Sequence, residues 1–195
     1  MNKFKEIAVD TNIFINPDAF RLFGRTHRES LCNFVDKAKE KNISIYMPPS
    51  IFSETLRFIE EEIPKATLSY ISRKPPKKYE IFVPAMFLYE LTEEIRLRIN
   101  KGLRIAEKYT RYGSQGKKDE NSLIKNLRDE FRAALREGII DSRQDIDLII
   151  LAKGLNTPIL SADQGLVKWA DKLGIESLDL NEIKEYFFPI RQETR

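Results

Sequence analysis

One cysteine and one histidine in 195 residues leave little room for soft-metal or nucleophilic chemistry. The lone Cys32 excludes an intrachain disulfide and a cysteine-based zinc site, and it fits a reducing cytoplasm. The lone His27 excludes a histidine metal cluster and a conventional Ser-His-Asp triad. The eight glycines form neither a GxGxxG nor a P-loop pattern, which argues against a nucleotide-binding α/β protein. No apolar run approaches the roughly 18–20 residues needed to cross a bilayer. The start, Met1-Asn2-Lys3-Phe4-Lys5-Glu6, lacks the apolar core of a signal peptide. A soluble cytoplasmic protein with no membrane partner is expected.

What the chain has in quantity is charge: 32% of residues are Asp, Glu, Lys or Arg, against 42% hydrophobic. The length suits one well-cored domain with an elaboration. The net charge of +3 hides a split, because residues 95–136 carry twelve Lys and Arg against five acids. That segment is +7, which leaves −4 for the remainder. A basic module joined to an acidic core suggests a polyanionic substrate held by one part and cut by the other.

The N-terminal third alternates in an α/β manner, with a strand near 5–9, helices near 17–23 and 28–41, and a strand at Ile43-Ser44-Ile45-Tyr46-Met47. Ser50 offers an N-cap for the helix that follows Pro48-Pro49. The last third resumes the rhythm: helix 142–154, strand 158–161, helix 164–172, strand 175–178 and a helix near 180–187. Strands separated by single helices predict a parallel sheet covered on both faces. The middle breaks that pattern. Residues 63–79 read as a short helix and a turn. Leu88, Leu91, Ile95 and Ile99, then Ile124, Leu127, Phe131 and Leu135, repeat at 3-4-4 spacing on two helices joined near Gly113–Lys118. The expectation is an α/β core from residues 1–61 and 139–195, with residues 62–138 inserted as an antiparallel helical hairpin.

Four aspartates stand where such a sheet would gather them. Asp10 closes the strand Ile7-Ala8-Val9, and Asp163 follows the strand ending at Ser161. Asp141 and Asp145 read as i,i+4 neighbours on one helix face, while Asp147, about 200° further round, points elsewhere. Glu54 lies early in the helix after the second strand. Each has a plainer role open to it: Asp141 and Asp163 as helix caps, Asp10 as a turn residue, Glu54 as a solvated helix residue. Clustered carboxylates at strand ends repel unless a divalent cation neutralises them. Oxygen ligands without His or Cys favour Mg²⁺ or Mn²⁺ over zinc.

Val9-Asp10-Thr11-Asn12, the helix start from Ser50 to Glu54, Asp145 with its apolar helix, and Ser161-Ala162-Asp163 together resemble the PIN-domain ribonucleases. The whole chain, with its central helical insert, resembles one branch of them, the HARP family of minimal protein-only RNase P enzymes. The resemblance implies a PIN-like parallel sheet flanked by helices, with an inserted helical hairpin subdomain. It implies that Asp10, Asp141, Asp145 and Asp163 carry the catalytic and metal site, that Glu54 matches the wider PIN pattern, and that Thr11, Asn12 and Ser161 would orient carboxylates or water. Direct metal ligation is expected first of Asp10 and Asp145, with Asp141 and Asp163 binding a second metal or positioning water. The implied activity is hydrolysis of a phosphodiester in precursor tRNA, removing the 5′ leader and leaving a 5′-phosphate, without an RNA subunit.

Lys125, Arg128, Arg132 and Arg136 make a basic ridge about 16 Å long on the second insert helix. A solvated face paired with Asp129 and Glu130 is its plain alternative. The resemblance marks Arg128 and Arg132 as pre-tRNA contacts and implies homo-oligomers built from dimers. Phe82, Met86, Phe87 and Tyr89 would supply interfaces or pack on their own subunit. The competing readings are a toxin-type PIN endoribonuclease and a catalytically inactive RNA-binding PIN scaffold.

Overall fold

The computed structural model describes residues 4–116, 119–136 and 142–188, and these group into two compact units. One is drawn from Met1–Phe82 and Ser142–Arg195, the other from Val83–Asp141.

The first unit is built on five parallel strands: β1 Glu6–Val9, β2 Ser44–Met47, β3 Ile71–Arg73, β4 Ile159–Leu160 and β5 Ser177–Leu178, in the order β3-β2-β1-β4-β5. The strands are short and apolar because both faces are covered. Ile7, Ala8, Val9, Ile45, Met47, Ile159 and Leu160 are fully buried. Helix α3 (His27–Glu40) contributes Leu31, Phe34 and Val35 to this core, α8 (Arg143–Leu155) contributes Leu148, and α9 (Gln164–Lys172) contributes Trp169. Phe34 meets Phe14 and Phe23 edge-on at centroid distances of 5.4 and 5.2 Å, a geometry favoured by the ring quadrupoles. The short helices α1 (Asn12–Ile15) and α2 (Pro17–Phe20) follow β1 directly. Helix α10 (Leu180–Phe187) starts with a full capping box at Asp179 and Glu182. No helix of the described residues is long and apolar enough to cross a membrane.

Three local expectations change. Residues 63–79 hold not only a helix, α5 (Lys65–Tyr70), but also β3, which pairs with β2 through Ile45–Ile71 and Met47–Arg73. A three-residue strand with one buried side chain has no period to read, and its ladder partner lies far along the chain. Helix α4 (Pro49–Phe58) is not capped by Ser50: Pro48 holds the cap position and Pro49 begins the helix, where its missing N–H costs nothing. Helix α8 begins at Arg143 with Ser142 as its cap, the Ser142 hydroxyl accepting from the Asp145 N–H at 3.0 Å. Ser142 rather than Asp141 caps this helix, and the expected pairing of Asp141 with Asp145 involves a residue that lies outside the described ones.

In the second unit, α6 (Met86–Ser114) and α7 (Glu120–Arg136) pack antiparallel, pairing Gly102 with Phe131, Lys108 with Glu130, and Gly113 with Leu123. The packed face follows the expected stripes only in part: Phe131 packs on Gly102, and Leu91 and Leu127 are half-buried. Leu88, Ile95 and Ile99 are 60%, 46% and 62% exposed, whereas Arg98, Gly102 and Ile105 are buried. On α7 the buried residues are Leu123 and Ala134, while Ile124 and Leu135 stay largely exposed. Both helices carry apolar residues on more than one face, and closest approach selects the face bearing the smallest residue. A Cβ at Gly102 would lie 2.5 Å from Cε2 of Phe131. Ala normally gains about 1 kcal/mol over Gly inside a helix. Here overpacking outweighs it, and Gly102→Ala should lower stability by about 1–2 kcal/mol in urea unfolding. Adding Phe131→Leu should recover part of the loss; a stabilised Gly102→Ala protein contradicts this packing.

Candidate active site

Strand order places β1 between β2 and β4, so the chain's connections leave β1 in opposite directions on its two sides. The crevice beyond the carboxyl ends of strands at such a switch point is where α/β sheets place their ligands. Asp10 stands there. Its N–H donates to the Leu160 carbonyl at 3.0 Å, which extends the β1–β4 ladder by one residue. Its carboxylate accepts the Ser161 hydroxyl at 2.6 Å, and the same Ser161 oxygen accepts the Asp163 N–H at 2.9 Å. Ser161, itself fully buried, thus couples the ends of the two strands.

Asp10 is only 4% exposed, and burial pushes its pKa up from 3.8 to about 6. The nearby Asp163 charge adds to the rise, while hydrogen bonds from Ser161 and Asn12 oppose it. Asp163 also caps α9, its Oδ1 accepting from the Gly165 and Leu166 N–H groups at 2.6 and 3.1 Å. Capping and a place beside Asp10 are therefore compatible for this residue. Glu54 enters through Thr11, whose hydroxyl donates to its Oε2 at 3.0 Å, with the Thr55 hydroxyl 3.1 Å away. Thr55, fixed by the Ile51 carbonyl at 3.0 Å, belongs to this buried hydroxyl group, and its only sequence cue was adjacency to Glu54. Asp145 sits half-buried in the first turn of α8, a helix packed on β1. Because α8 leads into β4, its N-terminus lies at the same sheet edge as Asp10.

The structure thus brings together Asp10, Asn12, Ser161 and Asp163, and joins Thr11 to Glu54. Among the described residues no group of three Asp, Glu, His or Cys stands close enough to hold a metal ion. The donor chemistry nevertheless suits one: the groups are hard oxygens, and a buried Asp10 next to Asp163 is a charge arrangement that a divalent cation relieves. Asp147 takes a different part. It is buried, accepting the Ser50 hydroxyl at 2.9 Å and pairing with the Lys78 ammonium at 2.6 Å, so it ties α4 and α8 to the segment after β3. His27 holds the Phe14 carbonyl through Nδ1 at 2.8 Å.

On α7, Lys125, Arg128 and Arg132 are exposed and have no ion-pair partner among the described residues. Glu130, one of their suggested partners, is held instead by Lys108 at 2.7 and 3.0 Å. The Arg136 side chain lies outside the described residues.

The raised Asp10 pKa has a definite sign in stability. A folded pKa of about 6 above an unfolded 3.8 means that metal-free protein loses stability as pH rises from about 4 through about 6. At pH 7–8 the ionised carboxylate carries its full burial penalty. Asp10→Asn, which keeps an acceptor for Ser161, should stabilise metal-free protein there by about 1–3 kcal/mol. Thermal unfolding in EDTA checks this, and a lower Tm for the variant counts against it.

Comparisons with known proteins give the family. A family profile described as PINc domain ribonuclease matches residues 6–188. A protein of Thermodesulfovibrio yellowstonii is 46% identical over 186 residues, 94% of either chain. One from Pyrococcus horikoshii is 42% identical over 183 residues, 92% of this chain and 90% of its own. One from Halorhodospira halophila is 35% identical over 175 residues, 88% and 84% of the two chains. All three are named RNA-free ribonuclease P. With its switch-point carboxylates and an end-to-end match, this chain belongs to the PINc domain ribonucleases, in the family of the RNA-free ribonuclease P proteins.

Proposed function

We propose that this chain is an RNA-free ribonuclease P, a divalent-metal-dependent endoribonuclease that removes the 5′ leader of precursor tRNA and leaves a 5′-phosphate on the mature end. The observation that carries this reading is the near-complete alignment with relatives of that name, across the strand ends and the helical unit alike. The cytoplasm, where precursor tRNA is found, is its place of action.

Asp10, Asp141, Asp145 and Asp163 would be the catalytic set that holds Mg²⁺ or Mn²⁺, with Glu54 as an additional carboxylate. The bound cation supplies Lewis acidity for water attack on the phosphodiester and charge stabilisation for the departing 3′-oxygen. The chain's own groups do the positioning. Ser161 and Asn12 fix the Asp10 carboxylate by hydrogen bonds, and Ser161 sets the backbone from which Asp163 projects. Thr11 holds the Glu54 carboxylate.

Substrate binding falls to the helical unit, where Lys125, Arg128, Arg132 and Arg136 line α7. Structured RNA is gripped mainly through shape and phosphates, which a rigid helix with spaced cations suits. The exposed Phe82, Met86 and Tyr89, with the outward stripe of Leu88, Ile95 and Ile99, support a homo-oligomer built from dimers.

Purified protein incubated with end-labelled precursor tRNA should give one mature 5′-phosphorylated end with Mg²⁺ and none without it. Cuts scattered in other loops would favour a toxin-type nuclease, and binding without cleavage a scaffold. Asp10→Asn and Asp145→Asn should abolish cleavage while precursor binding stays near the wild-type Kd; full activity of either at saturating Mg²⁺ overturns its assignment. Arg128→Ala with Arg132→Ala should weaken binding and reduce the salt slope of log K by about one per lost phosphate contact. An unchanged slope would remove the ridge from the substrate path.

A further inference from the structure

Two cations at the rim of the sheet have no part in the site described so far. Strand register places Ile7 level with Ile45 and Ile45 level with Ile71, so Arg73 ends β3 level with the end of β1. The Lys74 N–H donates to the Met47 carbonyl at 3.1 Å, which carries the ladder one residue further. Lys74 therefore stands level with Asp10, two strands away, about 10 Å across the sheet at the usual strand spacing.

Both cations are held without being neutralised. The Arg73 guanidinium lies 5.1 Å from the centre of the Phe52 ring on α4, the helix that carries Glu54. The Lys74 ammonium lies 4.4 Å from the Tyr46 ring. Such contacts fix the stem and leave the charge available to an anion. Neither residue has a carboxylate partner among the described residues, whereas their neighbours do: Lys77 pairs with Glu80 and Lys78 with Asp147, both at 2.6 Å. The Pro75-Pro76 turn that follows leads to Tyr79, which is 100% exposed. Two restrained cations without a carboxylate partner among the described residues, on a strand end level with Asp10, and an exposed aromatic ring shortly after them are elements by which single-stranded nucleic acid is held.

We propose that Arg73 and Lys74 bind phosphates of the single-stranded 5′ leader beside the cut, with Tyr79 offering a face for a leader base. This rests on the precursor-tRNA reading of the carboxylate site. It gives that site a contact of its own for the strand being removed, separate from the ridge on α7. A leader is unpaired, so its bases are open to stacking; a duplex stem would present only its backbone and leave Tyr79 without a role.

The test uses the full chain and precursors with a one-nucleotide or a ten-nucleotide leader. Equilibrium binding is measured without divalent metal, and cleavage with Mg²⁺. Arg73→Ala/Lys74→Ala should bind the long-leader precursor about 5–10-fold more weakly than wild type at 50 mM salt, with the short-leader precursor unaffected. Two single-strand phosphate contacts change the salt slope by about 1.4, so the difference should shrink ~7-fold by 200 mM. Arg73→Gln/Lys74→Gln, which retains a stem over each ring, should behave the same. Equal losses on both leaders, no loss on either, or a loss confined to the Ala pair would each overturn the proposal. Failure of wild type to cleave either precursor would instead remove the ribonuclease P reading, and the binding comparison would still decide whether these residues sense a leader.

Discussion

A carboxylate buried at the switch point between β1 and β4 sets the conditions that the rest of the catalytic unit has to meet. Asp10 is almost wholly removed from water and stands near a second carboxylate, Asp163. Left alone, such a group prefers to take up a proton, as its pKa of about 6 records. What keeps it in place is the surrounding structure: fully buried Val9 and Leu160 fix the two strand ends, and the Ser161 hydroxyl spans them. Burial of this carboxylate costs local stability once it is ionised. Real proteins break the rule against buried unpaired charge mostly at such places.

The helical unit shows how packing on one face of a helix decides the electrostatics of another. Gly102 lets Phe131 approach α6 closely. Lys108 then reaches Glu130 across the hairpin, which removes that acid from the neighbourhood of Arg128 and Arg132. A stripe that would have been half-neutral on an isolated helix is left with an excess of positive charge. The same logic runs through the segment after β3, where Glu80 and Asp147 engage Lys77 and Lys78 while Arg73 and Lys74 rest on aromatic rings. In both places some cations are left without an acid partner among the described residues.

In this nuclease fold the described carboxylates at the sheet edge and the described exposed cations of α7 belong to different elements. The carboxylates occupy one sheet edge, where short strands and hydrogen-bonded hydroxyls limit their movement. The exposed cations are spread along a helix and a strand end.

The sequence by itself determined the class of the fold, its main strands and the positions of Asp10 and Asp163 at strand ends. Alternating apolar strands and amphipathic helices leave one economical way to cover a parallel sheet, and Asp10 and Asp163 follow buried strands directly. It also determined that two basic, amphipathic helices interrupt that sheet. Only the tertiary structure decided which helix faces meet, because α6 and α7 carry apolar residues on more than one side and the choice falls to the close contact at Gly102. Only the tertiary structure exposed β3, whose three residues form a strand through pairing with β2. It alone turned Ser50 from a helix cap into a partner for Asp147, and showed Ser161 bonded to Asp10, 151 positions away. Local sequence carries periodicity and propensity; contacts between distant segments depend on how those periods are stacked, and that is set by packing.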